Sequence, residues 1–94
     1  MTAAHILIVE DEVKLARFIE LELIAEGYEL TVAHDGLNAL TIVRESNPDM
    51  ILLDWMLPGM SGVEICRRLR STGSKVPIIF LTARSEERRV GKEC

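Results

Sequence analysis

Residues 50–62 read Met-Ile-Leu-Leu-Asp-Trp-Met-Leu-Pro-Gly-Met-Ser-Gly, and their pattern indicates the class of fold. The first four residues are apolar without alternation, which is typical of a strand buried on both faces of a parallel sheet. The run stops on Asp54, and a loop rich in chain-breaking residues follows. The sequence therefore predicts a buried strand that presents a carboxylate at its carboxyl end.

Three other segments are also predicted to be strands. They are short apolar runs or loose alternations, bounded by charged residues or by residues that favour turns. In chain order, the four predicted strands are Ile6–Val9, Tyr28–Ala33, Met50–Leu53 and Ile78–Leu81.

The segments between these strands carry apolar residues at helical spacing. The first begins at Val13, the second is capped by Asp35 and ends before Asn47-Pro48, and the third covers Val63 to Leu69. Regular alternation of strand and helix predicts an α/β fold in which right-handed crossovers place helices on both faces of a parallel sheet. We therefore expect a three-layer sandwich with the order β-α-β-α-β-α-β.

Composition excludes several classes of function. The chain has 94 residues, which allows one domain. Its net charge of −4 argues against a nucleic-acid surface within this segment, since phosphate backbones bind basic faces. No apolar run approaches the roughly 20 residues needed to cross a bilayer, and the N-terminus lacks the pattern of a signal peptide. The expected compartment is the cytoplasm.

Residues 84–94 have a different character from the rest of the chain. They contain seven charged residues and one aliphatic residue, Val90, and no helix face can be drawn through them. The segment resembles a translated sequencing adapter, and the alternative is a natural, solvated run of charges. We therefore expect the domain to occupy residues 1–83.

Polar residues stand where the predicted strands end. Glu10 and Asp11 follow the first strand, Asp54 ends the third, and Thr82 follows the fourth. Ligands bind at the carboxyl ends of strands in parallel sheets, and converging carboxylates favour a hard cation such as Mg²⁺. Each residue also has a structural interpretation: the acidic residues could begin a helix, Asp54 could cap a turn, and Thr82 could simply be a β-branched strand residue.

Three segments together resemble the receiver domain of two-component response regulators, a CheY-like family. They are residues 6–12, 52–62 and 78–83, and the resemblance extends over residues 5–83. It implies a flavodoxin-like receiver fold that is incomplete here, because the family has a fifth strand bearing a lysine. The Asp-Trp-Met-Leu-Pro version also resembles the transcription-factor branch with a winged-helix output domain. Without the missing elements, we expect the 94-residue chain to be marginally stable.

The resemblance also implies roles for individual residues. Asp54 is the implied phosphoacceptor for a sensor histidine kinase, and Thr82 would hydrogen-bond the phosphoryl group and act as the switch. Asp11, Asp54 and the backbone carbonyl of Met56 would bind Mg²⁺ directly, and Glu10 would bind it through water. The domain would be a signalling phosphoacceptor, not an enzyme. The full-length form would be a homodimer that contacts DNA through another domain and does not contact membranes.

Three other readings remain at this point. An aspartate-nucleophile phosphatase needs a second acid two residues past the nucleophile, where this chain has Met56. A flavodoxin-like binder of nucleotide or flavin needs a phosphate-cradling first turn, where this chain has Glu10–Glu12. The third is a non-functional, truncated fragment.

His5 and His34 are interpreted as residues of the surface or of strand flanks.

Overall fold

The structure, a computed structural model, describes residues 3–81. Thr82 and residues 84–94 lie outside the described residues. The elements follow the predicted order: β1 (His5–Val9), α1 (Val13–Ala25), β2 (Glu29–Ala33), α2 (Gly36–Ser46), β3 (Met50–Asp54), α3 (Gly62–Ser71) and β4 (Ile78–Leu81). The prediction of an α/β fold is confirmed, and β2 begins one residue later than its alternating pattern indicated.

The four strands form one parallel sheet with the order β2-β1-β3-β4. This order confirms the expected flavodoxin-like topology. The chain moves from β1 to one side to form β2 and then crosses to the other side to form β3. The direction of winding reverses between β1 and β3, and in such sheets the crevice outside the carboxyl ends of these strands is the usual ligand site.

The main hydrophobic core lies between the sheet and the pair α2 and α3. Alternate strand residues, including Leu7, Leu53 and Phe80, pack there against Val43 and Ile65 from the helices. Side chains of a strand alternate between the two faces of its sheet, so the neighbours of these strand residues point to the opposite face. Helix α1 contacts β1 and β2 and buries Ala16 on that opposite face. The sheet is therefore the middle of three layers, as predicted.

Side chains fix the starts of two helices. The carboxylate of Asp35 accepts a hydrogen bond from the backbone N–H of Asn38 at 2.8 Å, as its N-cap position predicts. Ser61 does the same for α3 by accepting from the N–H of Glu64 at 3.2 Å. Helix α2 ends at Asn47, which adopts a left-handed conformation immediately before Pro48. The two N-caps lie at the edge of the sheet where the strands have their carboxyl ends, and the end of α2 lies at the opposite edge.

None of the helices within residues 3–81 combines the length and the apolar character that crossing a membrane requires.

Candidate metal centre at the carboxyl end of the sheet

Strands β1 and β3 run side by side in a register that brings two acidic residues together. Val9 pairs with Leu53 at the end of the ladder, so the next residues, Glu10 and Asp54, emerge as neighbours at the same edge. Asp11 follows Glu10 in the turn that leads into α1. Two residues more than forty positions apart in the chain are thereby placed in one crevice.

The three carboxylates form a compact cluster. One carboxylate oxygen from each of Glu10, Asp11 and Asp54 lies within 4.8 Å of the others. Their exposure differs: Glu10 is 4% exposed, Asp54 is half-buried and Asp11 is exposed. The cluster therefore contains one buried, one half-buried and one exposed carboxylate, and an ion or a substrate could reach it from the exposed side.

Backbone hydrogen bonds hold two of these carboxylates in place. The N–H of Glu12 donates to Oε2 of Glu10 at 3.1 Å, and the N–H of Met56 donates to Oδ1 of Asp54 at a long 3.4 Å. Glu12 occupies the N-cap position of α1, but its side chain makes no capping hydrogen bond. The acidic run therefore does not simply cap the helix, because its buried member turns toward Asp54.

Burial and neighbouring charges raise the pKa of two carboxylates of the cluster, those of Glu10 and Asp54. Burial raises the pKa of Glu10 from 4.5 to about 7, with further upward contributions from the charge of Asp54, from a hydrogen bond to it and from the charge of Asp11. Burial also raises the pKa of Asp54 above its usual value. The interaction with Glu10 lowers the pKa of Asp54 and so opposes part of this effect. A pKa of about 7 places the protonation of Glu10 near neutral pH.

The donor set fits Mg²⁺. Carboxylate oxygens are hard ligands, and Mg²⁺ characteristically uses one or two of them while keeping several waters. A cation among these three groups would offset the repulsion between their charges, which adds to the effect of burial on the pKa of Glu10. The cluster therefore has the chemistry of a magnesium site with an open side.

A model of the family described as "Response regulator receiver domain" matches residues 6–93. The chain belongs to this family. The membership agrees with the acidic residues at the ends of β1 and β3 and with the observed strand order.

Named relatives place this receiver domain among response regulators. It is 54% identical over 84 residues to "Uncharacterized transcriptional regulatory protein YkoG" of Bacillus subtilis. The aligned region covers 89% of this chain and 37% of that protein. It is 49% identical over 82 residues to "DNA-binding response regulator MtrA" of Mycobacterium tuberculosis, covering 87% and 36%. The chain thus spans little more than a third of the length of these curated relatives.

Solved structures agree with the fold of the receiver domain. The structure of TrrA from Thermotoga maritima, a response regulator solved in complex with Mg(2+)-BeF, superposes with a TM-score of 0.83 at 38% identity. The match covers 90% of this chain and 74% of that one. A response regulator structure from Chloroflexus aurantiacus gives 0.84 at 35% identity, covering 89% and 70%.

The loop after β3 is held close to the pocket by a glycine. The N–H of Gly62 donates to the carbonyl of Trp55 at 3.0 Å. A Cβ at Gly62 would lie 2.5 Å from the backbone oxygen of Asp54, closer than real Cβ contacts come. Gly62 therefore lets α3 begin close to the loop. Gly59, in the same loop, has a φ of 82°, a conformation that glycine adopts at no steric cost.

Two features of the site were missed from the sequence. The ring of Trp55 packs against Phe80 of β4, and Nδ1 of His34 lies 2.8 Å from the backbone carbonyl oxygen of Glu10. His34 is exposed and flanks β2, as the sequence indicated, and the pairing of β2 with β1 places it at the acidic turn. Its position directly after a predicted strand could have indicated that it lies at the same edge of the sheet as the acidic residues. Thr82, the predicted switch residue, lies outside the described residues.

Proposed function

We propose that this receiver domain accepts a phosphoryl group on Asp54 from a sensor histidine kinase. Asp11, Asp54 and the backbone carbonyl of Met56 would bind Mg²⁺ directly, with Glu10 binding through water. The main support is the convergence of Glu10, Asp11 and Asp54 within 4.8 Å at a half-open crevice. The Mg(2+)-BeF complex of TrrA supports the choice of ion.

The chemistry follows from the position of Asp54. A carboxylate oxygen of Asp54 attacks phosphorus, a new P–O bond forms, and the P–N bond of the donor phosphohistidine breaks with its electron pair returning to the imidazole nitrogen. Bound Mg²⁺ would neutralise charge on the phosphoryl oxygens and allow one anion to approach another. Asp54 is half-buried and its neighbour Asp11 is exposed, so a donor could reach Asp54 from solvent, whereas Glu10 is buried.

The phosphorylated domain would act on a partner or an attached domain. Phosphorylation adds about −1.5 to −2 charges, which Thr82 would read by hydrogen-bonding a phosphoryl oxygen. YkoG and MtrA carry names of transcriptional or DNA-binding regulators, so we propose a DNA-binding output domain in the full-length, dimeric protein. The acidic charge of the present segment favours DNA contact through that other domain. The proposed compartment is the cytoplasm.

The site gives less support to the two alternative functions, a phosphatase and a binder of nucleotide or flavin. A phosphatase of the aspartate-nucleophile type would place a second acid at position 56, but Met56 is there and its side chain is 75% exposed. A binder of nucleotide or flavin would offer N–H donors to phosphate at the first turn. Here the N–H of Glu12 is taken by Glu10, and three carboxylates face the crevice.

The test is phosphorylation by a small phosphodonor. Incubation of the purified protein with acetyl phosphate and Mg²⁺ should add one phosphoryl mass, measured by intact-mass spectrometry, and omission of Mg²⁺ should prevent it. Asp54→Asn should abolish the added mass. Asp35→Asn is the matched control, because asparagine can keep the cap of α2 and position 35 is outside the cluster. Phosphorylation of the Asp54→Asn protein would disprove the assignment.

A further inference from the structure

The end of β2 contacts the acidic turn at two points. The backbone N–H of Glu10 donates to the carbonyl oxygen of Ala33 at 3.0 Å. The next residue, His34, places Nδ1 at 2.8 Å from the carbonyl oxygen of Glu10. Both backbone polar groups of Glu10 are therefore held by consecutive residues of β2 and its following turn.

The second contact lies where the ladder of backbone hydrogen bonds between the two strands stops. Val9 and Ala33 are the last paired residues of β1 and β2. Beyond them the chains separate, β1 toward α1 and β2 toward α2. The imidazole of His34 adds one more hydrogen bond between the two chains beyond this ladder, from its side chain to the carbonyl oxygen of Glu10.

This contact acts on the peptide that carries Asp11. The carbonyl of Glu10 belongs to the peptide plane joining Glu10 to Asp11, so fixing that carbonyl restricts ψ of Glu10 and with it the direction of the Asp11 side chain. Within residues 3–81, the Asp11 carboxylate makes no hydrogen bond of its own. Its position in the metal-free pocket therefore depends on the backbone.

A purely structural role explains the contact less well. The side chain of His34 is exposed, so it contributes little to the core. The start of α2 is fixed by Asp35, the next residue, without any help from the imidazole. What His34 joins are two strand ends at the acidic crevice, and the contact requires only an N–H on Nδ1, which one neutral tautomer and the imidazolium both have.

We propose that His34 is a positioning residue of the metal centre, holding the Glu10–Asp11 peptide so that Asp11 faces the pocket before the ion binds. The proposal rests on the proposed function, because it assumes that Asp11 is a Mg²⁺ ligand. Groups that orient ligands of a metal contribute measurably to affinity even though they do not touch the ion.

Two substitutions of His34 distinguish the effect of losing its N–H donor from the effect of losing its ring. His34→Leu removes the donor, while His34→Asn keeps an N–H at a place comparable to Nδ1. Titration of Mg²⁺ against the fluorescence of Trp55 should show binding weakened roughly 3- to 10-fold in His34→Leu. In His34→Asn the Kd should stay within about 2-fold of the wild-type value, since the hydrogen bond is kept. Equal Kd values for the wild type and His34→Leu would overturn the proposal.

His5 provides the matched control. It lies on β1, and its Nε2 is hydrogen-bonded to Oγ1 of Thr31 on β2 at 2.7 Å, toward the opposite end of the same strand pair. His5→Leu should lower the melting temperature without changing the Kd for Mg²⁺. If His5→Leu weakens Mg²⁺ binding as much as His34→Leu does, the effect is a general loss of stability and the positioning role is wrong.

A second measurement needs no metal. Nitrogen-15 NMR of the imidazole at alkaline pH, without Mg²⁺, should show the Nδ1–H tautomer of His34, since only that neutral form donates to the Glu10 carbonyl. A dominant Nε2–H tautomer would contradict the proposal. If the tautomer is as expected but the wild-type protein binds no Mg²⁺, the hydrogen bond stands while the proposed function, and the positioning role with it, is overturned.

Discussion

The indole of Trp55 packs edge-on against the ring of Phe80, with centroids 5.2 Å apart and planes inclined at 65°. This T-shaped arrangement is a favourable geometry for aromatic pairs. Trp55 directly follows Asp54, and Phe80 is buried in β4. The pair therefore ties the loop at the candidate phosphoacceptor to the neighbouring strand.

Trp55 should report the binding of Mg²⁺. It is the only tryptophan in the sequence, and its side chain is 45% exposed beside the acidic cluster. We expect its emission intensity to change in a saturable way with millimolar Mg²⁺, measured by steady-state fluorescence. The same titration of Asp11→Asn should show a much weaker response, because that variant removes a carboxylate of the cluster.

The control for this reporter is Phe80→Leu. It removes the aromatic contact and should change the emission of Trp55 in the metal-free protein. The midpoint of the Mg²⁺ titration should stay close to that of the wild type, since Phe80 is not among the clustered acids. A wild-type spectrum indifferent to Mg²⁺ would count against the metal centre.

The stability of the metal-free protein should fall as pH rises from 4.5 to about 7. Burial raises the pKa of Glu10 to about 7, so the folded state binds more protons than the unfolded state in this window. The contribution is fully present below pH 4.5 and lost by about pH 7, and it amounts to at most roughly 3 kcal/mol. Mg²⁺ should restore stability at neutral pH, as measured by urea unfolding at several pH values with and without the ion.

Glu10→Gln is the matched variant for this dependence. Glutamine has nearly the same shape and stays neutral, so the loss of stability between pH 4.5 and 7 should shrink. Burial also raises the pKa of Asp54, so a smaller dependence of the same sign should remain. An unchanged pH profile in Glu10→Gln would show that Glu10 does not bind the proton.

Gly62→Ala should be strongly destabilising. The added Cβ would lie 2.5 Å from the backbone oxygen of Asp54, and backbone atoms at the end of a buried strand cannot easily move. We expect a loss of about 1–3 kcal/mol in the free energy of unfolding, measured with urea. In Gly36→Ala, the Cβ meets only side-chain atoms, at 3.0 to 3.2 Å, so its cost should be smaller. The reverse order would disprove this explanation.

Asp35→Ala should lower the free energy of unfolding by about 1 kcal/mol, because it removes the acceptor for the N–H of Asn38 at the start of α2. Asp35→Asn should be close to the wild type, since asparagine is an equally good cap. Thermal unfolding followed by circular dichroism would measure both. Equal losses in the two variants would indicate that the charge of Asp35 matters more than its hydrogen bond.

Local patterns in the sequence were sufficient to predict the order of the elements. Continuous apolar runs such as Met50–Leu53 mark buried strands, and helical spacing between them marks crossovers, because each pattern reflects the period of one element. The acidic residues of the site were predicted as well, since they stand directly at predicted strand ends. That Glu10 and Asp54 share one crevice followed from the rule that parallel strands end at the same edge.

Only the tertiary structure decided the contacts between distant segments. The burial of Glu10, which raises its pKa, depends on how β1 sits between β2 and β3. The contact of His34 with Glu10 spans 24 positions, and that of Trp55 with Phe80 joins a loop to another strand. Such contacts leave no period in the chain, because they are set by strand pairing and register, which place residues together that no local pattern connects.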